Sequence, residues 1–355
     1  MKKILSFILA FAAVSSMAVS ALAQEPLSGE KAKAGLSLGA DEETEKTVKD
    51  LLTPGEDYEF PIYITDEEGK TQQIQEEHLE GYRLRVESKD GKDGLESIKV
   101  EEGRNGYVLE VETQSGWPTE QTEFTGVLKM VKKTNGQSLY TTDLQLTVGY
   151  GQIEDSALTG VKNGEYVYIE ENAPVITKSQ MKKLENYANG KKVTFTDGDW
   201  TFEVRVSGQD AVNMLNNQRT IREVVEEFEG NNFKFVSFPA GPEFDFNGKM
   251  TIDVSEQMDE FDNFFVYRYY KGKLTKIDAK LNKNDETLSF ETKKLGRFVI
   301  TDKEIADGTV VEDGFGGETV KPSKPSTSTK PNPEMGAGVM NSGAAIATVL
   351  AAMAA

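Results

Sequence analysis

The sequence of 355 residues contains no Cys and one His. The first absence excludes a disulfide framework, a thiolate nucleophile, Cys-ligated zinc and iron–sulfur clusters. With His78 as the lone imidazole, Ser-His-Asp catalysis and His-based zinc sites have almost nothing to build on. Positive charge is also in deficit: 40 Lys and Arg stand against 59 Asp and Glu, a formal charge of −19. A polyanion of this size repels nucleic acid, whose binding depends on Lys and Arg displacing counterions from phosphates. No Gly-rich phosphate loop and no G-x-S-x-G nucleophile elbow occurs. What remains is enough chain for two ordinary domains, with 37% hydrophobic and 9% aromatic residues to fill their cores.

Both ends depart from the composition of the body. Residues 1–23 open with Lys2 and Lys3, run through an apolar stretch from Ile4 to Ala18, and reach Ala21-Leu22-Ala23. That pattern predicts a secretory signal peptide cleaved between Ala23 and Gln24, the apolar run being short for a membrane span. Its removal, with two Lys and no acid, leaves a charge of −21. Residues 306–320 are rich in Gly and acids, and the following stretch to 333 is built from Pro, Lys, Ser and Thr. Such composition cannot bury a core and favours extended conformations, so 306–333 reads as a disordered, semi-stiff stalk. The uncharged residues 336–355 then read as a membrane-seeking tail, weak as a span because Ala and Gly dominate it.

Between stalk and tail stands Asn332-Pro333-Glu334-Met335-Gly336. This pentapeptide, after a Pro-rich stalk and before an apolar tail, resembles the NPxTG variant of the Gram-positive cell-wall sorting signal. The resemblance implies a sortase as partner, attacking the carbonyl before Gly336 and transferring the chain to the cell wall or a partner amine. Met335 stands where the family pattern has Thr, and no Lys or Arg cluster follows the tail. An uncleaved membrane tail and a eukaryotic lipid-anchor signal are the alternatives, and the chain has no Asn-x-Ser/Thr acceptor to favour the latter.

Within the body, 36–151 alternates with period two: Tyr58, Phe60, Ile62 and Ile64; Tyr82, Leu84 and Val86; Tyr107, Leu109 and Val111; Leu144, Leu146, Val148 and Tyr150. Turn clusters such as Arg104-Asn105-Gly106 and Thr134-Asn135-Gly136 separate these runs. An antiparallel, immunoglobulin-like β-sandwich is expected, with Ala40 to Lys49 either a loop or a short helix. Region 158–305 predicts a second β-sandwich module with two or three short helices. Thr177 with Gln180, and Thr220 with Glu223, read as capping boxes, Gly208 to Leu215 as a further short helix, and Lys271-Gly272 as a tight hairpin turn. The run 264–304 resembles the closing strands of β-rich modules in surface proteins of clostridial Gram-positives, and Val175 to Val206 resembles their opening. That resemblance implies a non-catalytic surface or adhesion unit.

Chemistry-bearing patterns are sparse. The acidic pairs Glu76-Glu77, Glu170-Glu171 and Glu226-Glu227 read as solvated surface. Asp90-Gly91-Lys92-Asp93-Gly94 and Asp197-Gly198-Asp199 are the best loops for Ca²⁺, yet neither ends in a bidentate Glu as an EF-hand does, and hairpin turns explain both. Trp117, in a turn-like Ser115-Gly116-Trp117-Pro118, is a candidate recognition aromatic. In the run from 264, Phe265, Tyr267 and Tyr269 alternate onto one face, which leaves Phe264 and Tyr270 as candidates on the other. The expectation is a secreted, envelope-displayed, non-enzymatic binding, adhesion or structural protein with no cofactor and an unspecified surface ligand. A secreted carbohydrate-active enzyme with paired carboxylates, or a pilus-like subunit polymerised by sortase, are the alternatives.

Overall fold

The computed structural model describes residues 34–311. The expected signal peptide with Ala23 and Gln24, the sorting pentapeptide Asn332 to Gly336 and the apolar tail lie outside the described residues. The described chain is mainly β.

Nine strands make the first body: β1 (Gly35–Leu38), β2 (Leu51–Leu52), β3 (Asp57–Thr65), β4 (Thr71–Gln73), β5 (Tyr82–Asp90), β6 (Leu95–Gly103), β7 (Gly106–Thr113), β8 (Thr122–Lys132) and β9 (Ser138–Val148). One sheet runs in the order β1-β3-β7-β6 with β4 beside β3, and the other in the order β2-β9-β8-β5. Period two decides which side chains meet. Tyr58, Phe60, Ile62, Leu109 and Val111 of the first sheet share a core with Phe124, Leu128, Leu144 and Leu146 of the second. Pro61 stands where β3 exchanges β7 for β1 as its neighbour, a place where a missing N–H interrupts the ladder least. The pairing is antiparallel except that Leu51 and Leu52 run parallel to Thr147 and Val148. Residues 40–49 form a loop built on buried Asp41, whose carboxylate accepts from the Glu43, Thr44 and Glu59 amides at 2.7–3.1 Å.

The second body comprises β10 (Val167–Tyr168), β11 (Val175–Ile176), α1 (Lys178–Ala188), β12 (Val193–Thr196), β13 (Trp200–Val204), β14 (Val212–Asn213), α2 (Arg222–Glu227), β15 (Phe233–Ser237), β16 (Glu243–Asp253), β17 (Phe265–Tyr270), β18 (Lys273–Ile277), β19 (Lys280–Asn282), β20 (Thr287–Lys294) and β21 (Arg297–Thr301). A six-stranded sheet, β10-β12-β13-β16-β20-β19, and a four-stranded sheet, β15-β21-β17-β18, share a core in which Phe195, Phe202 and Met250 meet Val266, Phe298 and Ile300. The four-stranded sheet is covered on its other face too. There Tyr267, Tyr269 and Val299 pack with Ile221 and Val224 around α2.

Several expectations change in this body. Thr177 and Gln180 do form the capping box that opens α1. Thr220 and Glu223 do not: the N-cap is Ile221 with no side-chain cap, and Glu223 instead accepts a hydrogen bond from the Tyr269 hydroxyl at 2.7 Å. The stretch from Gly208 to Leu215 holds no helix. Val212 and Met214 are buried at period two, and the Asn213 carboxamide accepts from the Leu215 amide, a local bond that competes with helical pairing. Strands β18 and β19 are separated by Asp278-Ala279, where the chain leaves the four-stranded sheet for the six-stranded one. Lys271 and Gly272 make the tight turn, with φ of 48° and 73°. Residues 306–311, expected as the start of the stalk, instead run back along β18. Gly308 N donates to Leu274 O, Val311 N donates to Gly272 O, and Val311 is buried.

Candidate binding site

The aromatics singled out in the sequence meet three different fates. Trp117 is half-buried where the two bodies meet, beside Val212 and Asn213, and Asn213 Nδ2 donates to Pro118 O at 3.2 Å. It lines a cavity of about 340 Å³ with Asp210, Glu243 and Asp245 rather than crowning an exposed turn. Asp210 and Glu243 are paired with Lys178 and Lys294, at 2.6 and 3.6 Å. Phe264 is half-buried against the core with its ring 5.3 Å from that of Phe261. It lines a second hollow of about 340 Å³ together with Lys276, whose ammonium lies over the Phe265 ring and pairs with Glu304. Of the expected patch on that face of β17, Val266 and Phe264 belong to the core, and Tyr270 alone is exposed, at 61%, with Lys271 over its ring.

The charged candidates serve local structure. Asp197 Oδ1 accepts from the Asp199 and Trp200 amides and so caps the β12–β13 turn, while burial pushes its pKa above the ordinary Asp value. Asp199 accepts from Gln218 Nε2 at 2.6 Å, and Asp90 accepts from the Gly91 amide at 2.8 Å. Among the described residues, no three of His, Cys, Asp and Glu converge as metal ligands. His78 has a local structural role: its Nδ1 accepts from the Gln75 amide at 2.9 Å and its Nε2 lies 2.7 Å from the Gln72 carboxamide, which closes a 3₁₀ turn. The three acidic pairs are exposed. On the outer face of β6 and β7, Lys99 sits among Glu101, Glu110 and Glu112; hydrogen bonds to Glu101 and Glu110 raise its pKa, and burial raises that of Glu110. This is a cross-strand charge ladder open to water.

A third hollow, about 690 Å³, lies elsewhere, at residues absent from the sequence-derived candidates. A 3₁₀ helix, Asp155–Asn163, ends at Gly164 with φ 79°, and the chain returns through Glu165 into β10. Leu158 and Val161 anchor the helix in the core, and Val167 and Ile169 anchor the strand. Tyr166 and Tyr168 therefore point the other way and are 52% and 60% exposed. The signal was readable as Tyr166-Val167-Tyr168-Ile169, two inward aliphatics alternating with two outward tyrosines. The helix is pinned from α1: Gln180 Nε2 donates to Ile153 O at 2.5 Å and to Asp155 at 3.3 Å, and Lys183 pairs with Asp155. A Cβ at Gly160 would lie 2.3 Å from the Glu165 carboxylate, the end of an exposed side chain that is free to swing aside. No helix among the described residues is long and apolar enough to cross a membrane.

No protein-family model and no curated protein matches this sequence.

Proposed function

We propose that the chain is exported and displayed on the outer face of the cell envelope as a non-enzymatic binding, adhesion or structural unit. The observation that carries this reading is the pair Tyr166 and Tyr168, held outward over a wide hollow while the alternating Val167 and Ile169 are locked in the core. Exposed aromatic rings on a fixed scaffold suit recognition. The leader-like residues 1–23, the Pro-rich stretch and the Asn332 to Gly336 pentapeptide supply the address. An immunoglobulin-like reading of the first body is supported by its strand order, four strands β1-β3-β7-β6 facing β9-β8-β5, with short β2 parallel to β9. The partners of this reading are a sortase or the membrane at the C-terminus and a surface ligand at the tyrosines; the charge of −19 argues against nucleic acid.

Mass spectrometry of C-terminal peptides from cell-wall digests tests the address. A peptide ending at Met335 and joined to a wall fragment is the expected result. An intact Ala355 end in the membrane fraction removes the sortase, and recovery from the cytoplasm with Met1 attached removes the reading altogether.

A further inference from the structure

We infer that the hollow between the 3₁₀ helix Asp155–Asn163 and β10 is a binding subsite for a neutral glycan, stacked on Tyr166 and Tyr168. The inference rests on the surface-binding reading and names its ligand class. Tyr168 of β10 and Tyr166 two residues before it both line the hollow, about 6–7 Å apart along extended chain, and each presents an exposed ring with a polar tip. A sugar is the ligand whose chemistry matches that pairing, with C–H faces to lie on the rings and hydroxyls at the rim. The rim supplies their partners: the Ser156 hydroxyl and Asn163 carboxamide are exposed and make no hydrogen bond among the described residues, and Thr159 keeps acceptor capacity beside its bond to Ser156 O.

Charge selects against the alternatives. No Lys or Arg lines the hollow; neighbouring Lys162 lies over the Tyr187 ring at 4.2 Å, and Lys183 is held by Asp155. An anionic polymer would meet the Glu165 carboxylate uncompensated on a chain of charge −19. A peptide adding to the open edge of β10 would find a strand of two residues, too short for a ladder of main-chain bonds. The other two hollows are less suited, because paired carboxylates crowd Trp117 and the charged Lys276, paired with Glu304, lines the space beside Phe264.

The test is isothermal titration calorimetry of the purified full chain against neutral oligomers of glucose, mannose, galactose and N-acetylglucosamine. At least one series is expected to bind saturably. Tyr166→Ala and Tyr168→Ala are each expected to weaken it about tenfold, the scale of one aromatic contact, with melting temperatures near that of the parent. Tyr270→Ala, an equally exposed ring outside the hollow, leaves binding unchanged, and Glu165→Gln changes it by less than about threefold because the ligand carries no charge. Undiminished binding by the Tyr166→Ala/Tyr168→Ala double variant overturns the inference, as does heat from none of the four series or from charged oligomers or peptides alone. Calorimetry takes no account of location, so failure here leaves the envelope address standing, and a cytoplasmic location leaves sugar binding standing.

Discussion

The join between the two bodies turns on a single missing methyl group. Gly151 does not have a positive φ, so its backbone would accept any residue, yet a Cβ there would sit 2.1 Å from Asn172 O and 3.1 Å from Ala173 Cα. Both are backbone atoms and cannot swing aside. Gly151→Ala must therefore push the 151–153 segment away from 172–175 by about 1 Å before the contact becomes tolerable. Two hydrogen bonds span that gap: Val175 N to Gly151 O at 3.1 Å and Ile153 N to Val175 O at 2.9 Å. Losing both, each worth about 0.5–1.5 kcal/mol net, and adding residual strain predicts a cost of about 2–4 kcal/mol. Hydrogen exchange at the Ile153 and Val175 amides reads it directly, with protection falling by roughly 30- to 1000-fold at the stated cost. Gly164→Ala is the matched control. Its φ of 79° carries strain of about 1 kcal/mol, but open space surrounds it, so those two amides stay protected. Unchanged protection at 153 and 175 in Gly151→Ala would refute the argument that close backbone approach holds this junction.

Two further outcomes follow from buried polar groups and caps. Burial pushes the Tyr150 pKa up to about 12, above the ordinary Tyr value near 10. Because its folded-state pKa is raised, stability is complete below pH 10 and falls as pH climbs from there towards 12. The fall is about 1–2 kcal/mol after allowing for solvent at the ring edge, and urea midpoints in Tyr150→Phe should lose that part of the slope. Thr177→Ala removes the side-chain acceptor of the α1 capping box and should lower stability by about 1 kcal/mol, whereas Thr220→Ala, at the apparent second box, should change the thermal midpoint by nothing measurable.

Strands were legible wherever one face is fully buried. In β3, Tyr58, Phe60 and Ile62 are at most 1% exposed, Asp57 and Glu59 between and before them are exposed, and alternation survives in the sequence although Pro61 is buried. Helix α1 was legible for a local reason, both partners of its capping box lying within three residues. Long-range partners were not. Glu223 is claimed by Tyr269, and Trp117 by a junction with residues near 213, associations that no local window contains. The tyrosine hollow was missed because β10 is two residues long and pairs in parallel with β12, nearly thirty residues further on. A run that short reads as loop unless the inward Val167 and Ile169 are weighed together with the outward tyrosines.

The C-terminal edge of the second body shows why composition alone misplaced a boundary. Residues 306–311 are polar and Gly-containing, yet Ile305 and Val311 are both buried, at 3% and 2%, against Tyr267 and Leu274. The Tyr267 hydroxyl fixes the start of this segment from both sides, donating to Ile305 O and accepting from Ile305 N at 2.7 Å each. Asp307 Oδ1 then accepts from Lys276 N at 2.8 Å, and Val310 bridges Lys273. Two anchoring aliphatics separated by a turn are enough to hold six residues that average as linker. The described chain therefore ends against the four-stranded sheet, at β17, β18 and the core beneath α2, whereas Tyr168 belongs to the edge strand of the six-stranded one.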